Sequence, residues 1–147
     1  MINCTFEDGG QTSLRHVTVD VLVLKNHQIL LVKRVGKLIE GGKWGLAGGF
    51  VERDETLEQA VERETMEETG WQVEDIKLLK VNDSPTRPKE DRQNISFIFT
   101  CRAVKRTAKS DWESEQIKWF SLNKLPAKEE VAFDHYDNIA YYLQSLA

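Results

Sequence analysis

Three glutamates, Glu64, Glu67 and Glu68, lie close together in the segment ERETMEETG. The surrounding sequence predicts a helix from about Thr56 to Thr69, in which successive side chains are about 100° apart. With Leu57 taken as the zero of angle, Glu64 and Glu68 each lie within about 20° of it, and Glu67 lies at the edge of the same face. Because Leu57 belongs to the apolar stripe of this helix, the pattern predicts that these carboxylates face the interior.

Carboxylates in such a position lose hydration and repel one another, which costs several kcal/mol each unless a positive charge lies among them. Mg²⁺ prefers oxygen ligands, keeps some of its water and commonly serves phosphate chemistry. The pattern therefore predicts a Mg²⁺ site, with Mn²⁺ as an alternative metal. Glu58 and Glu62 point away from the apolar stripe and are expected to be solvated.

The segment from Gly48 to Trp71, GGFVERDETLEQAVERETMEETGW, resembles the signature of the Nudix hydrolase family. Every fixed position of that signature is occupied at the required spacing, by Gly49, Glu55, Arg63, Glu64, Glu67, Glu68 and Gly70. Thr65 and Trp71 depart from the aliphatic residues usual there, and Ala47 replaces a common proline. The first two are expected to affect local packing rather than the chemistry, and the loss of the proline is expected to loosen the loop slightly.

The fixed residues outside the carboxylate set have predicted structural roles. Gly48 and Gly49 allow a tight turn that brings a main-chain carbonyl near the metal. The resemblance implies that Arg63 forms an ion pair with Glu55, which organises the loop and helix. Gly70 is expected to end the helix in a left-handed conformation.

The start of this helix has two candidate N-caps, Asp54 and Thr56. A second, final helix is expected after Asp134 as its cap, with Ile139, Tyr142, Leu143 and Leu146 sharing one face.

Strands are predicted from β-branched and alternating patterns. They cover 16–24, 28–34, 44–50, 73–81, 94–104 and 116–120, with a turn at Asn26 and His27. Mixed strands with two helices predict a fold of the α/β (α+β) class, arranged as an α/β/α sandwich around a mixed sheet. The Nudix resemblance implies the same fold over residues 1–147 as a single domain.

The length, net charge and composition of the chain exclude several classes of protein. With 147 residues, a net charge of −4 and a pI of about 5.5, the chain is predicted to be one small domain with no affinity for nucleic acid or membranes. No signal peptide or transmembrane run is seen, so a cytoplasmic location is expected. Cys4 and Cys101 are expected to be reduced thiols.

The resemblance implies hydrolysis of a diphosphate linked to a nucleoside. Four further segments are similar in sequence to the branch of the family described as ADP-ribose pyrophosphatases: VTVDVLVL, LLVKR, WFSLNKLP and FDHYDNI. An ADP-ribose-like small molecule is therefore the favoured substrate, and a homodimer is possible. Two alternatives are a diphosphatase of oxidised nucleoside triphosphates of the 8-oxo-dGTP type and a non-catalytic nucleotide-metabolite sensor.

A general base must take the proton of the attacking water. Within the Nudix signature from Gly48 to Trp71, which we call the box, Glu67 and Glu68 are candidates. Family members often use a glutamate before a late strand, which points to Glu113 or Glu115.

Substrate contacts are predicted from residue type. Arg34, Arg87, Lys89 and Arg92 are candidates for phosphate contact, with a solvated loop as the alternative for the last three. Trp44 could stack on a base or belong to the core. His135 is expected to cap a helix or to donate a supporting hydrogen bond.

Overall fold

The computed structural model describes residues 1–87 and 91–147. Their strands are β1 Ile2–Thr5, β2 Gln11–Leu14, β3 Val17–Lys25, β4 Gln28–Arg34, β5 Trp44–Gly45, β6 Ala47–Phe50, β7 Trp71–Asn82, β8 Ile95–Arg106 and β9 Ser114–Ser121. The helices are α1 Leu57–Thr69 and α2 His135–Ser145, and a single 3₁₀ turn covers Lys128–Glu130. Among these residues no helix has the length and apolarity needed to span a membrane.

A mixed sheet of seven strands forms the centre of the described chain. Its main order is β5-β4-β3-β8-β7, with β6 beside β3 and β9 beside β4. The β3–β8 pair is parallel, whereas the other pairs of this sheet are antiparallel. The hairpin of β1 and β2 forms a separate two-stranded sheet, which the sequence patterns did not predict.

The two helices cover opposite faces of this sheet. Alternating residues Val19, Val21 and Val23 of β3 pack in one core cluster with Ala60 and Val61 of α1. Successive side chains of a strand point to opposite faces. Leu22 of the same strand accordingly belongs to a second cluster, which contains Ile139 of α2. The predicted α/β/α sandwich around a mixed sheet is confirmed.

Most predicted boundaries agree with the structure within about two residues, which is the usual scatter of element ends. The predicted strand 44–50 is instead divided, because Leu46 lies between β5 and β6. Asn26 and His27 both have positive φ, at 50° and 59°, as the tight turn between β3 and β4 requires. The two cysteines are free thiols, as predicted.

The predicted helix caps are only partly confirmed. Thr56 caps α1 in a reciprocal capping box with Gln59, so Asp54 is not the cap. Asp134 holds the N-cap position of α2, but its side chain makes no capping hydrogen bond. Leu146 is the C-cap of α2 and is 61% exposed, whereas Ile139 on the same predicted face is 0% exposed.

Candidate active site

A cavity of about 390 Å³ lies where β3, β6 and α1 meet the loops around them. Its acidic lining residues are Asp20, Glu52, Glu64, Glu67, Glu68, Asp111 and Glu113, and its basic ones are Arg34, Arg63, Arg87 and Arg92. Carboxylates and guanidinium groups around one cavity suit a ligand with phosphate groups and a bound cation.

Glu68 is the most deeply buried carboxylate of α1, at 6% exposure. Its Oε2 accepts a hydrogen bond from the Gly48 N–H at 3.1 Å, and no ion pair with a cationic side chain is found for it among the described residues. Burial, followed by repulsion from Glu64, Asp111 and Glu113, raises the pKa of Glu68 well above 4.5. A cation bound beside this carboxylate would favour its ionised form.

Glu64 lies one turn earlier on the same face of α1. Its side chain is 12% exposed, and Oε1 lies 2.8 Å from Nη1 of Arg63. Burial raises the pKa of Glu64, although Arg63 opposes that effect. A Cβ at position 49 would be 2.4 Å from Glu64 Oε1. The Glu64 carboxylate therefore occupies the space beside Gly49, and a side chain at position 49 would displace it.

Arg63 and Glu55 form the ion pair that the family resemblance implied. Arg63 Nη2 lies 2.6 Å from Glu55 Oε1 and donates to the Phe50 carbonyl at 2.9 Å. Glu55 also accepts the Glu52 N–H at 2.7 Å. The hydrogen bonds from Arg63 lower the pKa of Glu55, so the carboxylate stays ionised and holds the loop between β6 and α1 against the helix.

Gly48 and Gly70 each lie where a side chain cannot fit. A Cβ on Gly48 would lie 2.1 Å from the Val19 carbonyl oxygen. Gly70 has φ of 72° and ends α1 in the predicted left-handed conformation, and its Cβ would lie 2.0 Å from the Ala108 carbonyl oxygen. The Gly70 carbonyl accepts the N–H groups of Thr107 and Ala108, at 2.8 and 3.3 Å. Gly70 thus packs directly on the loop between β8 and β9.

That loop brings Asp111 and Glu113 to the cavity. The Asp111 N–H donates to the Glu67 carbonyl at 2.8 Å, and the Asp111 carboxylate accepts the Glu113 N–H at 3.0 Å. Glu115 lies on β9, is exposed and does not line the cavity. Of the two candidate bases in this region, the structure places only Glu113 beside the box carboxylates. Asp111 was not predicted as a cavity residue, although it precedes Glu113 by only two residues.

Some of the predicted substrate-binding residues line the cavity, and others do not. Arg34 and Arg92 line the cavity, with their guanidinium groups 5.0 Å from the ring centre of Phe133 and 5.6 Å from that of Phe50. Trp44 does not line it. Its ring packs edge-on against Phe120 in the second core cluster, which is its core alternative.

Arg87 lines the cavity but is largely committed to the protein. Its Nη2 lies 2.6 Å from Asp134 Oδ1 and 3.3 Å from Asp20 Oδ2, while Nε also contacts Asp134. Most of its donors are therefore unavailable to phosphate. Lys89 lies outside the described residues.

Asp20 is a largely buried carboxylate, 13% exposed, that was not predicted from the sequence. It contacts Ser96 and Arg87, and its Oδ1 lies 3.3 Å from Nε2 of His135. Burial alone would raise the pKa of Asp20, but interactions with His135 and Arg87 outweigh it and lower the pKa to about 2. The sequence feature that could have identified Asp20 is that it stands as a lone aspartate within the largely apolar strand sequence VTVDVLVL.

The donor chemistry of the cavity fits a hard divalent cation, because the buried Glu68 and the largely buried Glu64 repel each other and offer only oxygen ligands. Glu67, at the edge of this face, is 49% exposed, so it does not face the interior as predicted. The present geometry of these carboxylates is not yet that of a chelate. Among residues 1–87 and 91–147, no three acidic, histidine or cysteine side chains converge closely enough to hold a metal ion. Glu64 and Glu67 instead contact Arg63, at 2.8 and 3.3 Å.

Residues 14–142 match the model of the NUDIX domain family. The ADP-ribose pyrophosphatase of Methanocaldococcus jannaschii is 38% identical over 128 residues, which cover 87% of this chain and 73% of that protein. The chain spans less than two thirds of the length of several other curated relatives.

Two of the solved structures that share the fold at more than a quarter sequence identity are complexes with nucleotide ligands. The NUDIX domain of Shewanella oneidensis NrtR complexed with ADP ribose has a TM-score of 0.76 and 26% identity, over 92% of this chain and 91% of that one. A bifunctional NMN adenylyltransferase/ADP ribose pyrophosphatase from Francisella tularensis, complexed with AMP and a Mn ion, has a TM-score of 0.70 and 29% identity, over 92% of this chain and 43% of that one. The chain therefore belongs to the Nudix family, as a pyrophosphohydrolase.

Proposed function

We propose that this protein hydrolyses the diphosphate of ADP-ribose or a similar nucleoside diphosphate derivative, with Mg²⁺ as the favoured metal and Mn²⁺ as an alternative. The observation that carries the proposal is the buried carboxylate of Glu68 at the cavity, which is repelled by Glu64, Asp111 and Glu113 and pairs with no cationic side chain among the described residues. The bound Mn ion of the Francisella relative supports a divalent metal.

The proposed metal ligands are Glu64, Glu67, Glu68 and the Gly48 carbonyl. Glu64 and Glu67 would have to rotate away from Arg63 to bind, while Arg63 would keep its pair with Glu55. When bound, the cation would neutralise the diphosphate and lower the pKa of a water molecule. The protein's own contribution is then mainly to position the reacting groups.

Glu113 is the proposed general base. It lines the cavity beside the box carboxylates, whereas Glu115 is exposed on β9. Its backbone is fixed on both sides, because its N–H donates to Asp111 and its carbonyl accepts the Val35 N–H at 3.2 Å. A base held in this way can accept a proton with little reorganisation.

ADP-ribose is favoured over oxidised nucleoside triphosphates on two grounds. The Methanocaldococcus relative is named an ADP-ribose pyrophosphatase, and the Shewanella NUDIX domain binds ADP ribose. The intact set of carboxylates favours catalysis over a sensor role, because a sensor has no need of an activated water. Arg34 and Arg92 are the proposed phosphate contacts, since both line the cavity.

The match over residues 14–142 supports a single Nudix domain. A homodimer and a cytoplasmic location stay predictions.

The test is a substrate panel with the purified protein. It contains ADP-ribose, NADH, diadenosine polyphosphates, sugar nucleotides and 8-oxo-dGTP, each with Mg²⁺, with Mn²⁺ and with excess chelator. We expect ADP-ribose to have the highest kcat/KM, AMP to be a product, and chelator to abolish turnover. Full turnover with chelator would refute the metal site, and a higher kcat/KM for 8-oxo-dGTP would refute the substrate.

A further inference from the structure

His135 joins helix α2 to the strand segment that carries Gly48. It is the first residue of α2 and is 4% exposed. Its Nδ1 accepts the Leu46 N–H at 2.9 Å, which assigns the ring proton to Nε2. Nε2 then faces Oδ1 of Asp20 at 3.3 Å. Both ring nitrogens of this buried histidine therefore have partners.

The Leu46 N–H needs this partner because Leu46 lies in the gap between β5 and β6 and is 3% exposed. A buried N–H is almost always paired, and here a side chain replaces the missing strand neighbour. Gly45 makes room for the ring, since a Cβ there would lie 3.2 Å from Nδ1. The segment before α2 is also attached nearby, where the Ala132 N–H donates to the Trp44 carbonyl at 2.7 Å.

His135 also contacts Asp20, the strand partner of Gly48, which lies two residues after Leu46. Gly48 pairs in register with Asp20 of β3, and the Asp20 carboxylate is the partner of Nε2. The Gly48 N–H in turn donates to Glu68 at 3.1 Å. The two nitrogens of His135 thus contact Leu46, which lies two residues before Gly48, and Asp20, which pairs with Gly48 across the sheet.

We propose that His135 is a positioning residue that sets the Gly48 peptide, and through it the Glu68 carboxylate, for metal binding. The proposal rests on the proposed function, which takes the Gly48 carbonyl and Glu68 as ligands. The Leu46 bond is the decisive contact, because Asp20 keeps Ser96 and Arg87 as partners if the imidazole is lost.

The test compares His135→Asn with His135→Gln. The amide oxygen of asparagine is as many bonds from Cβ as Nδ1 and can accept the Leu46 N–H, whereas the glutamine amide reaches towards the place of Nε2. Three quantities are measured: hydrogen exchange of the Leu46 amide in metal-free protein by NMR, the dissociation constant of Mn²⁺ by titration calorimetry, and kcat and KM for the best panel substrate.

We expect His135→Gln to speed Leu46 exchange and to weaken Mn²⁺ binding by about 10-fold, as loss of a residue that supports a metal ligand typically does. Turnover should fall at low metal concentration and recover at high metal concentration, with little change in KM. His135→Asn should stay close to the parent in all three measurements.

Unchanged Mn²⁺ affinity in His135→Gln, despite fast Leu46 exchange, would overturn the proposal. Weak Mn²⁺ binding in His135→Asn with a protected Leu46 amide would also overturn it. If His135→Gln does not fold, Gly45→Ala displaces the ring without removing it and should weaken Mn²⁺ binding in the same direction; unchanged affinity there would overturn the proposal. Failure of the proposed function is distinguishable, because the parent would then bind no Mn²⁺.

Discussion

Thr65 is a buried threonine whose hydroxyl has no hydrogen-bond partner in the described part of the chain, so replacing it with valine should stabilise the protein. Thr65 is 0% exposed on α1, and its Oγ1 makes no hydrogen bond to the described residues. Leaving a buried polar group unpaired costs about 1–3 kcal/mol. Valine has nearly the same shape and is also β-branched, so Thr65→Val should create neither a cavity nor a new rotamer restriction.

We therefore expect Thr65→Val to raise the free energy of unfolding by about 1 kcal/mol. For a chain of this size that corresponds to an increase in Tm of about 3 °C. The assay is urea unfolding followed by circular dichroism, with the m value compared between variants to show that both unfold in the same way. Turnover of the best substrate should not change, because Thr65 faces the core rather than the cavity.

Thr69→Val is the matched control. Thr69 lies one turn later on α1 and is also 0% exposed. Its hydroxyl donates to the Thr65 carbonyl at 2.5 Å and accepts the Trp71 N–H at 3.2 Å. The same substitution should therefore destabilise the protein by about 1–2 kcal/mol. If Thr65→Val destabilises the protein, or if both variants shift the unfolding midpoint equally, the hydrogen-bond argument is refuted.

Three further predictions concern the cavity carboxylates. Glu68→Gln should lower kcat by orders of magnitude in steady-state assays, whereas Glu62→Gln, on the exposed side of α1, should be nearly silent; equal losses would contradict the burial argument. Glu113→Gln should lower kcat with little change in KM and remove the acidic limb of the pH–rate profile, while Glu115→Gln should keep parental rates; the reverse order would exchange their roles. Since burial raises the pKa of Glu68 above 4.5, the folded metal-free protein holds a proton that the unfolded chain releases, so its free energy of unfolding should fall as pH rises above 4.5. Urea titrations across that range should show a smaller fall for Glu68→Gln, and an identical fall would show that Glu68 does not titrate abnormally.

The box was predictable from sequence because its constraints are local. The angles that placed Glu64 and Glu68 beside Leu57 depend only on helix geometry, and the ends of α1 follow from Thr56 and Gly70. The β1–β2 hairpin was missed because it lacks the apolar alternation that a buried strand shows, and its residues are nearly all exposed.

The residues that complete the cavity were harder to predict because distant segments bring them together. Arg87 appeared in the sequence as a loop arginine suited to phosphate, yet Asp20 and Asp134 take most of its donors from β3 and from the start of α2. Trp44 likewise needed knowledge of Phe120 to be assigned to the core. Charges that are far apart in sequence carry no local pattern that would pair them.

The contact between Gly70 and Ala108 has a consequence for engineering this protein. Because the loop from β8 to β9 packs on the bare Cα of Gly70, and Asp111 is hydrogen-bonded to Glu67, the end of α1 serves as the template on which that loop is built. A loop grafted from a relative to change substrate preference should therefore keep the spacing from Ala108 to Asp111, while length can be varied elsewhere. Grafts that change this spacing should fold and bind metal, yet lose the alignment between base and water on which turnover depends.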